Sequence, residues 1–276
     1  MKTAEAGRLF MVNRKLRGLS SRTLENYQAT MTRLERTYPK LPFNPDDIQV
    51  FIVERGGTPE TKHQEYRNLR AFYNFLHQRY GYKNPMNLVS PPRVLAKVMP
   101  TLEALEINLL PLFIDNPRDR ALVVLFLDTG IRATEAVDLQ RQDIKEDYIL
   151  VNGKVGQRAV PISEATGRLL LNLPAYDDGY VFHGNKGKLT RSGAYFIVKR
   201  YLLKIGVSGS KLGPHRLRHT FGRHYLVNGG DLRSLQLILG HSNSKTTEKY
   251  ASLAINDVIT KHHKFTPARC FETQNV

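Results

Sequence analysis

Residues 213–253 read GPHRLRHTFGRHYLVNGGDLRSLQLILGHSNSKTTEKYASL. Pro214 suits the first turn of a helix, where its missing N–H would have no intrahelical partner. On that helix Leu217 and Phe221 lie four apart on one face, while His215 and Arg218 lie three apart on another. One face can anchor in a core as the other presents an imidazole and a guanidinium. A second helix starts at Asp231, with Leu232, Leu235, Ile238 and Leu239 at helical spacing, and ends at Leu239-Gly240. His241 follows at once, and Tyr250 stands nine residues further on.

Working back toward the N-terminus, a helix is expected from Thr190, carrying Tyr195, Val198, Tyr201 and Leu202, and a short strand at Tyr180–Phe182. Residues 148–151 and 158–162 flank Gly153, Lys154, Val155 and Gly156 and read as a β-hairpin with a glycine-bearing turn. Prolines cluster from Asn84-Pro85 through Pro91-Pro92, with another at Pro100, and mark an extended linker. Before it, three helices are expected. Ser20 and Ser21 can cap one bearing Leu24, Tyr27, Met31 and Leu34. Asn44-Pro45 opens a second, with Ile48, Phe51 and Ile52, closed by Gly56-Gly57. Thr58-Pro59 opens a third, with Leu69, Phe72, Tyr73 and Leu76. The expected fold is mainly α with a small β-sheet (α+β), divided into a helical domain with linker over 1–93 and a second domain over 94–276.

The chain carries 41 Lys and Arg against 25 Asp and Glu, a formal net charge of +16. The excess is shared evenly, +8 on residues 1–93 and +8 on 94–276. Each basic side chain set on a phosphate releases condensed counterions, so such a charge favours a polyanion such as nucleic acid. Two basic domains on a proline-bearing tether suit a clamp around a duplex. No apolar run is long enough to span a bilayer, no secretory leader is visible, and the single Cys270 excludes an internal disulfide or a Cys-cluster metal site. A cytoplasmic protein without membrane attachment is expected. No H-E-x-x-H, Cys/His knuckle, tight carboxylate cluster or glycine-rich phosphate loop is present, so neither metal nor nucleotide cofactor is expected.

Cleaving a phosphodiester without metal requires a nucleophile, positive charge on the non-bridging oxygens and an acid for the leaving oxygen. Residues 213–253 closely resemble the catalytic box of the tyrosine recombinase (phage integrase) family. TGIRATEAVDLQRQDI, residues 129–144, is similar to that family's first box, and NGKVGQRAVPIS to its lysine-bearing hairpin. The N-terminal helices resemble its core-binding (SAM-like) DNA-binding domain, so residues 94–276 correspond to the catalytic domain. The resemblance implies six catalytic residues: Arg132 and Arg218 as the two arginines, His215 and His241 as the two histidines, Lys154 as the hairpin lysine and Tyr250 as the nucleophile. Thr134 stands where the family commonly has serine.

The implied chemistry is cleavage and rejoining of DNA through a 3′-phosphotyrosine intermediate, giving integration, excision or resolution without ATP or metal. His215 would take the phenolic proton and Lys154 would protonate the 5′ oxygen, with Lys145, Lys186 and Lys188 as alternatives for the acid. Glu135 is expected to orient the site or pair with an arginine. His219, His224, Tyr201 and Tyr225 read as structural. The implied partners are double-stranded DNA and three further copies in a homotetramer on paired sites, with a partner recombinase or accessory protein as a further possibility. The tail beyond Tyr250 is expected to dock on a neighbouring protomer. The chain begins with helices of the core-binding type, as expected of a simple Xer or transposon-resolvase enzyme without an arm-binding domain. A non-catalytic DNA-binding protein on the same scaffold and a relaxing topoisomerase are the rival readings.

Overall fold

A computed structural model describes residues 1–94, 100–153, 156–240, 259 and 262–267. Contacts divide the chain into two compact units, Met1–Lys97 and Val98–Val276.

The first unit is helical, with α1 (Thr3–Leu16), α2 (Ser21–Thr37), α3 (Pro45–Val53), α4 (Pro59–Tyr80) and a 3-10 turn at Pro85–Asn87. Three starts are those the sequence signals. The Ser20 side chain accepts from Thr23 N, Asn44 from Asp46 N and Thr58 from Thr61 N, satisfying amides that a helix start leaves without partners. The core holds Phe10, Leu34, Ile48, Phe51, Leu69, Phe72, Tyr73 and Leu76. Buried Glu65 is compensated by Arg33 at 3.3 Å and Arg55 at 2.9 Å. The periodicity reading does not include α1. Its N-cap is Lys2, which makes no side-chain cap bond, so the start carries no sequence signal although Ala6, Phe10 and Met11 are buried.

The second unit is built around α6 (Pro117–Thr129), which packs on α8 (Glu164–Leu171), α9 (Arg191–Lys204) and α10 (Pro214–Val227). Residues 121–127 of α6, Ala-Leu-Val-Val-Leu-Phe-Leu, are all buried. A helix covered on every side shows no amphipathic period. Around it stand α5 (Ala104–Leu109), α7 (Ala133–Val137), α11 (Leu232–Leu239) and an antiparallel hairpin of β1 (Tyr148–Gly153) and β2 (Gly156–Pro161), in register Val151↔Arg158 and Gly153↔Gly156. A second small hairpin pairs β3 (His183–Gly184) with β4 (Gly187–Lys188). The strand expected at Tyr180–Phe182 is instead a single bridge from Tyr180 to Gln140, with the paired residues just beyond it. The mainly helical α+β class holds.

Two glycines set the ends of helices that bear on the site. Gly130 closes α6 at φ 62°, and a Cβ there would stand 2.6 Å from Phe221 and 2.8 Å from Leu239. Gly240 closes α11 at φ 61°. Only glycine takes this left-handed conformation without strain. At the other end of α11 the Asp231 carboxylate accepts from Ser234 N at 2.9 Å. Asp231→Ala is expected to lower stability by about 1 kcal/mol, read as a shift of the urea midpoint at constant slope.

Residues 262–267 lie against the end of α6. His262 Nε2 and Asp128 O are 2.6 Å apart, and the Thr266 hydroxyl donates to the Asp128 carboxylate at 2.7 Å. Asp128 also accepts from Ser163 N at 2.8 Å. Among the described residues no helix is long and apolar enough to cross a membrane.

Candidate active site

Arg132 leads into α7, two residues past the turn at Gly130. Its backbone N–H donates to Glu135 Oε2 at 2.8 Å, satisfying one amide at the start of α7. Its side chain donates from Nη1 to Glu135 Oε1 at 2.8 Å and from Nη2 to the Gly240 carbonyl at 3.1 Å. Arg218 lies on α10 and is only 6% exposed. Its Nη1 donates to Gly130 O at 2.6 Å and its Nη2 to Leu239 O at 2.7 Å. One guanidinium thus joins the C-terminal turns of α6 and α11, where helices leave carbonyls without partners and carry partial negative charge.

A third arginine belongs to the cluster. Arg158, on β2, donates from Nε to Ile238 O at 3.1 Å and from its two terminal nitrogens to the two Glu135 oxygens at 2.9 and 3.0 Å. Three successive carbonyls, those of Ile238, Leu239 and Gly240, are each taken by a different arginine. Sequence reasoning missed Arg158. It stands in a strand whose neighbours Gln157 and Ala159 give no sign of a buried partner, and its contacts are 23 and 80 residues away.

The electrostatics follow from this packing. Burial pushes the Glu135 carboxyl up, but the bonds from Arg158 and Arg132 outweigh it and hold the group at about 2. Glu135 is therefore the fixed anion among three cations. Burial pulls the Arg218 guanidinium down to about 10, with the Arg132 charge acting in the same direction. His215, one turn before Arg218 on α10, is lowered by burial first, and then by the charges of Arg218, Arg191, Lys211 and Arg132.

Of the six residues singled out in the sequence, Arg132 and Arg218 come together at the end of α11, and His215 stands one turn before Arg218 on α10, within reach of both charges. Lys154, His241 and Tyr250 lie outside the described residues. In the chain, however, Lys154 follows directly on Gly153 at the end of β1, and His241 on Gly240. Two of the alternative lysines are engaged elsewhere. Lys188 bonds Asp138 at 2.6 Å and stands over the Tyr180 ring, and Lys145 donates to Gln142 O at 2.9 Å. Tyr201 and Tyr225 are buried in the core, and His224 is bonded to Leu102 O at 3.0 Å.

Comparison with known proteins gives this arrangement a family. Residues 100–256 match the model of the phage integrase family. Tyrosine recombinase XerC of Syntrophus aciditrophicus is 30% identical over 72% of each chain, and tyrosine recombinase XerD of Vibrio cholerae is 28% identical over 91% of this chain and 92% of its own. Among solved structures, a lambda integrase dimer bound to a COC' core site superposes with a TM-score of 0.71 at 18% identity, covering 89% of this chain and 97% of that one. XerH site-specific recombinase bound to difH substrate in a pre-cleavage complex gives 0.64 at 20% identity, covering 92% and 85%. With the family model spanning more than half of its length, the chain belongs to the phage integrase family of tyrosine recombinases.

Proposed function

We propose that this chain cuts and rejoins duplex DNA at specific sites, with Tyr250 as nucleophile and Arg132, Lys154, His215, Arg218 and His241 around one scissile phosphate. The observation that carries the reading is the convergence of Arg132 and Arg218 on adjacent carbonyls at the end of α11, from which His241 follows. A guanidinium has five N–H groups in a planar fork, so one that spends two on backbone carbonyls is held rigidly while others can grip phosphate oxygens. Donors preset in this way stabilise the charge of a pentacoordinate phosphorus without reorganising during the reaction.

The step balances without a cofactor. The Tyr250 oxygen attacks phosphorus as the bond to the 5′ oxygen breaks, the phenolic proton passes to His215, and Lys154 gives a proton to the departing oxygen. The product is a 3′-phosphotyrosine and a free 5′-hydroxyl. Rejoining runs the same exchange in reverse, so the bond energy is kept. In this reading residues 1–93 form the core-binding domain and 94–276 the catalytic domain. In the same reading four copies act in pairs on two sites in the cytoplasm; a lambda integrase tetramer bound to a Holliday junction, among the structural relatives, supports the fourfold assembly.

The test starts from a duplex selected for binding out of a random-sequence pool and then nicked to trap the cut state. A covalent protein–DNA adduct is expected, with mass spectrometry placing the nucleotide on Tyr250. No adduct, or an adduct on another side chain, overturns the assignment. Relaxation of supercoils by single copies without sequence preference would instead favour a topoisomerase.

The lowered His215 adds a pH signature. Its neutral form, the one able to accept a proton, dominates at pH 7 because its folded value lies below the ordinary 6.5. With duplex well below saturation, cleavage is expected to climb about tenfold per pH unit and level off at a midpoint below 6.5. His215→Gln is expected to flatten that limb.

A further inference from the structure

We propose that Arg158 is a positioning residue for leaving-group protonation, pinning the β1–β2 hairpin that leads into Lys154 to the carboxylate beneath Arg132. The inference rests on the recombinase reading above and goes beyond it in naming a residue outside the six.

Arg158 sits on β2 opposite Val151, two residues past Gly156, in the half of the ladder nearest the turn. Its side chain is 16% exposed, so it faces inward. It is held from two directions: both Glu135 oxygens at 2.9 and 3.0 Å, and Ile238 O at 3.1 Å. A two-pronged bond between guanidinium and carboxylate fixes orientation as well as distance. The other face of Glu135 holds the Arg132 backbone N–H and Nη1, both at 2.8 Å. Glu135 is therefore a bracket with a proposed phosphate-binding arginine on one side and the hairpin on the other. Packing supports the same placement. A Cβ on Gly240 would stand 2.8 Å from the Arg158 Cζ, so the guanidinium occupies the space that this glycine leaves open.

A two-stranded hairpin is marginal by itself. The β1 residues that reach the core are Ile149 and Val151, and at the level of Val151 the Arg158 bonds add a directional polar tie to this apolar packing. A proton donor on a long lysine stem acts only from a backbone held in place, since displacement of about 1 Å can cost on the order of a hundredfold in rate.

A bridging sulfur at the scissile position separates this role from general loosening. A thiol has a pKa of about 8.5, so a thiolate leaves without being protonated, whereas an alkoxide needs an acid. The full chain is tested on the trapped duplex described above, with either oxygen or sulfur at the 5′ bridging atom. With oxygen, Arg158→Met is expected to form adduct about 30-fold more slowly than the unaltered chain. With sulfur it should come within about threefold, as should Lys154→Ala. Arg158→Lys, which keeps one donor, should fall between, and it carries the comparison if Arg158→Met does not fold. An equal deficit on both substrates, or no deficit on oxygen, overturns the proposal. If the unaltered chain forms no adduct, the recombinase reading falls and this proposal with it. If sulfur rescues Lys154→Ala but neither Arg158 variant, only the role of Arg158 falls.

Discussion

Arg218→Lys is expected to slow covalent adduct formation by about a thousandfold while leaving duplex affinity within a few-fold of its original value. The charge is retained, so counterion release on binding changes little. What is lost is the fork. Arg218 reaches Gly130 O and Leu239 O with separate nitrogens at 2.6 and 2.7 Å, and an ammonium on a flexible stem cannot span both carbonyls and still present donors to a phosphate. Removing one preorganised donor from a developing oxyanion costs about 10²–10³ in rate, and here orientation is lost as well. Single-turnover cleavage with saturating protein, set beside a mobility-shift titration, separates the two effects. Cleavage within tenfold of the unaltered rate would take Arg218 off the scissile phosphate.

The second large effect is expected from Glu135→Gln. The carboxylate is buried and lies among Arg132, Arg158 and Arg218, and no other anion bonds Arg132 or Arg158 among the described residues. The amide keeps the shape but removes the charge and turns one acceptor into a donor facing guanidinium N–H groups. Breaking a buried ion pair by removing one partner costs about 3–5 kcal/mol, which urea denaturation reads directly. The pH dependence gives an independent check. The Glu135 carboxyl is held at about 2 in the fold and titrates near 4.3 when unfolded. Its stabilising contribution is thus complete above the unfolded value and is lost as pH falls from there toward 2. In Glu135→Gln that part of the acid sensitivity should vanish. A variant as stable as the parent, with an unchanged acid limb, would show that the carboxylate is not the keystone of the cluster.

The sequence was informative where local rules act. Ser20, Asn44, Thr58 and Asp231 cap helices because a short polar side chain can reach an amide two or three residues on, and such signals are written in adjacent positions. Arg132 and Arg218 could be singled out because each stands in a stretch resembling a known box. Two elements escaped this reading for different reasons: α1 begins at an uncapping Lys2, and α6, though Asn116-Pro117 and Gly130 mark its ends, is apolar on every side over residues 121–127 and shows no helical period. The role of Arg158 was hidden for another reason. Nothing within ten residues tells that its guanidinium will meet Glu135 and the last turn of α11, and only the folded chain brings those partners together. Tyr180 shows the limit of strand propensity, since its aromatic and β-branched run yields one bridge where a ladder was expected.

The arginines that close the end of α11 make that turn a shared mooring. The Gly240 carbonyl cannot shift by a bond length without dragging on Arg132, and a shift of the preceding two carbonyls would release Arg218 and Arg158 together. Whatever slackens that mooring therefore slackens the whole cationic cluster.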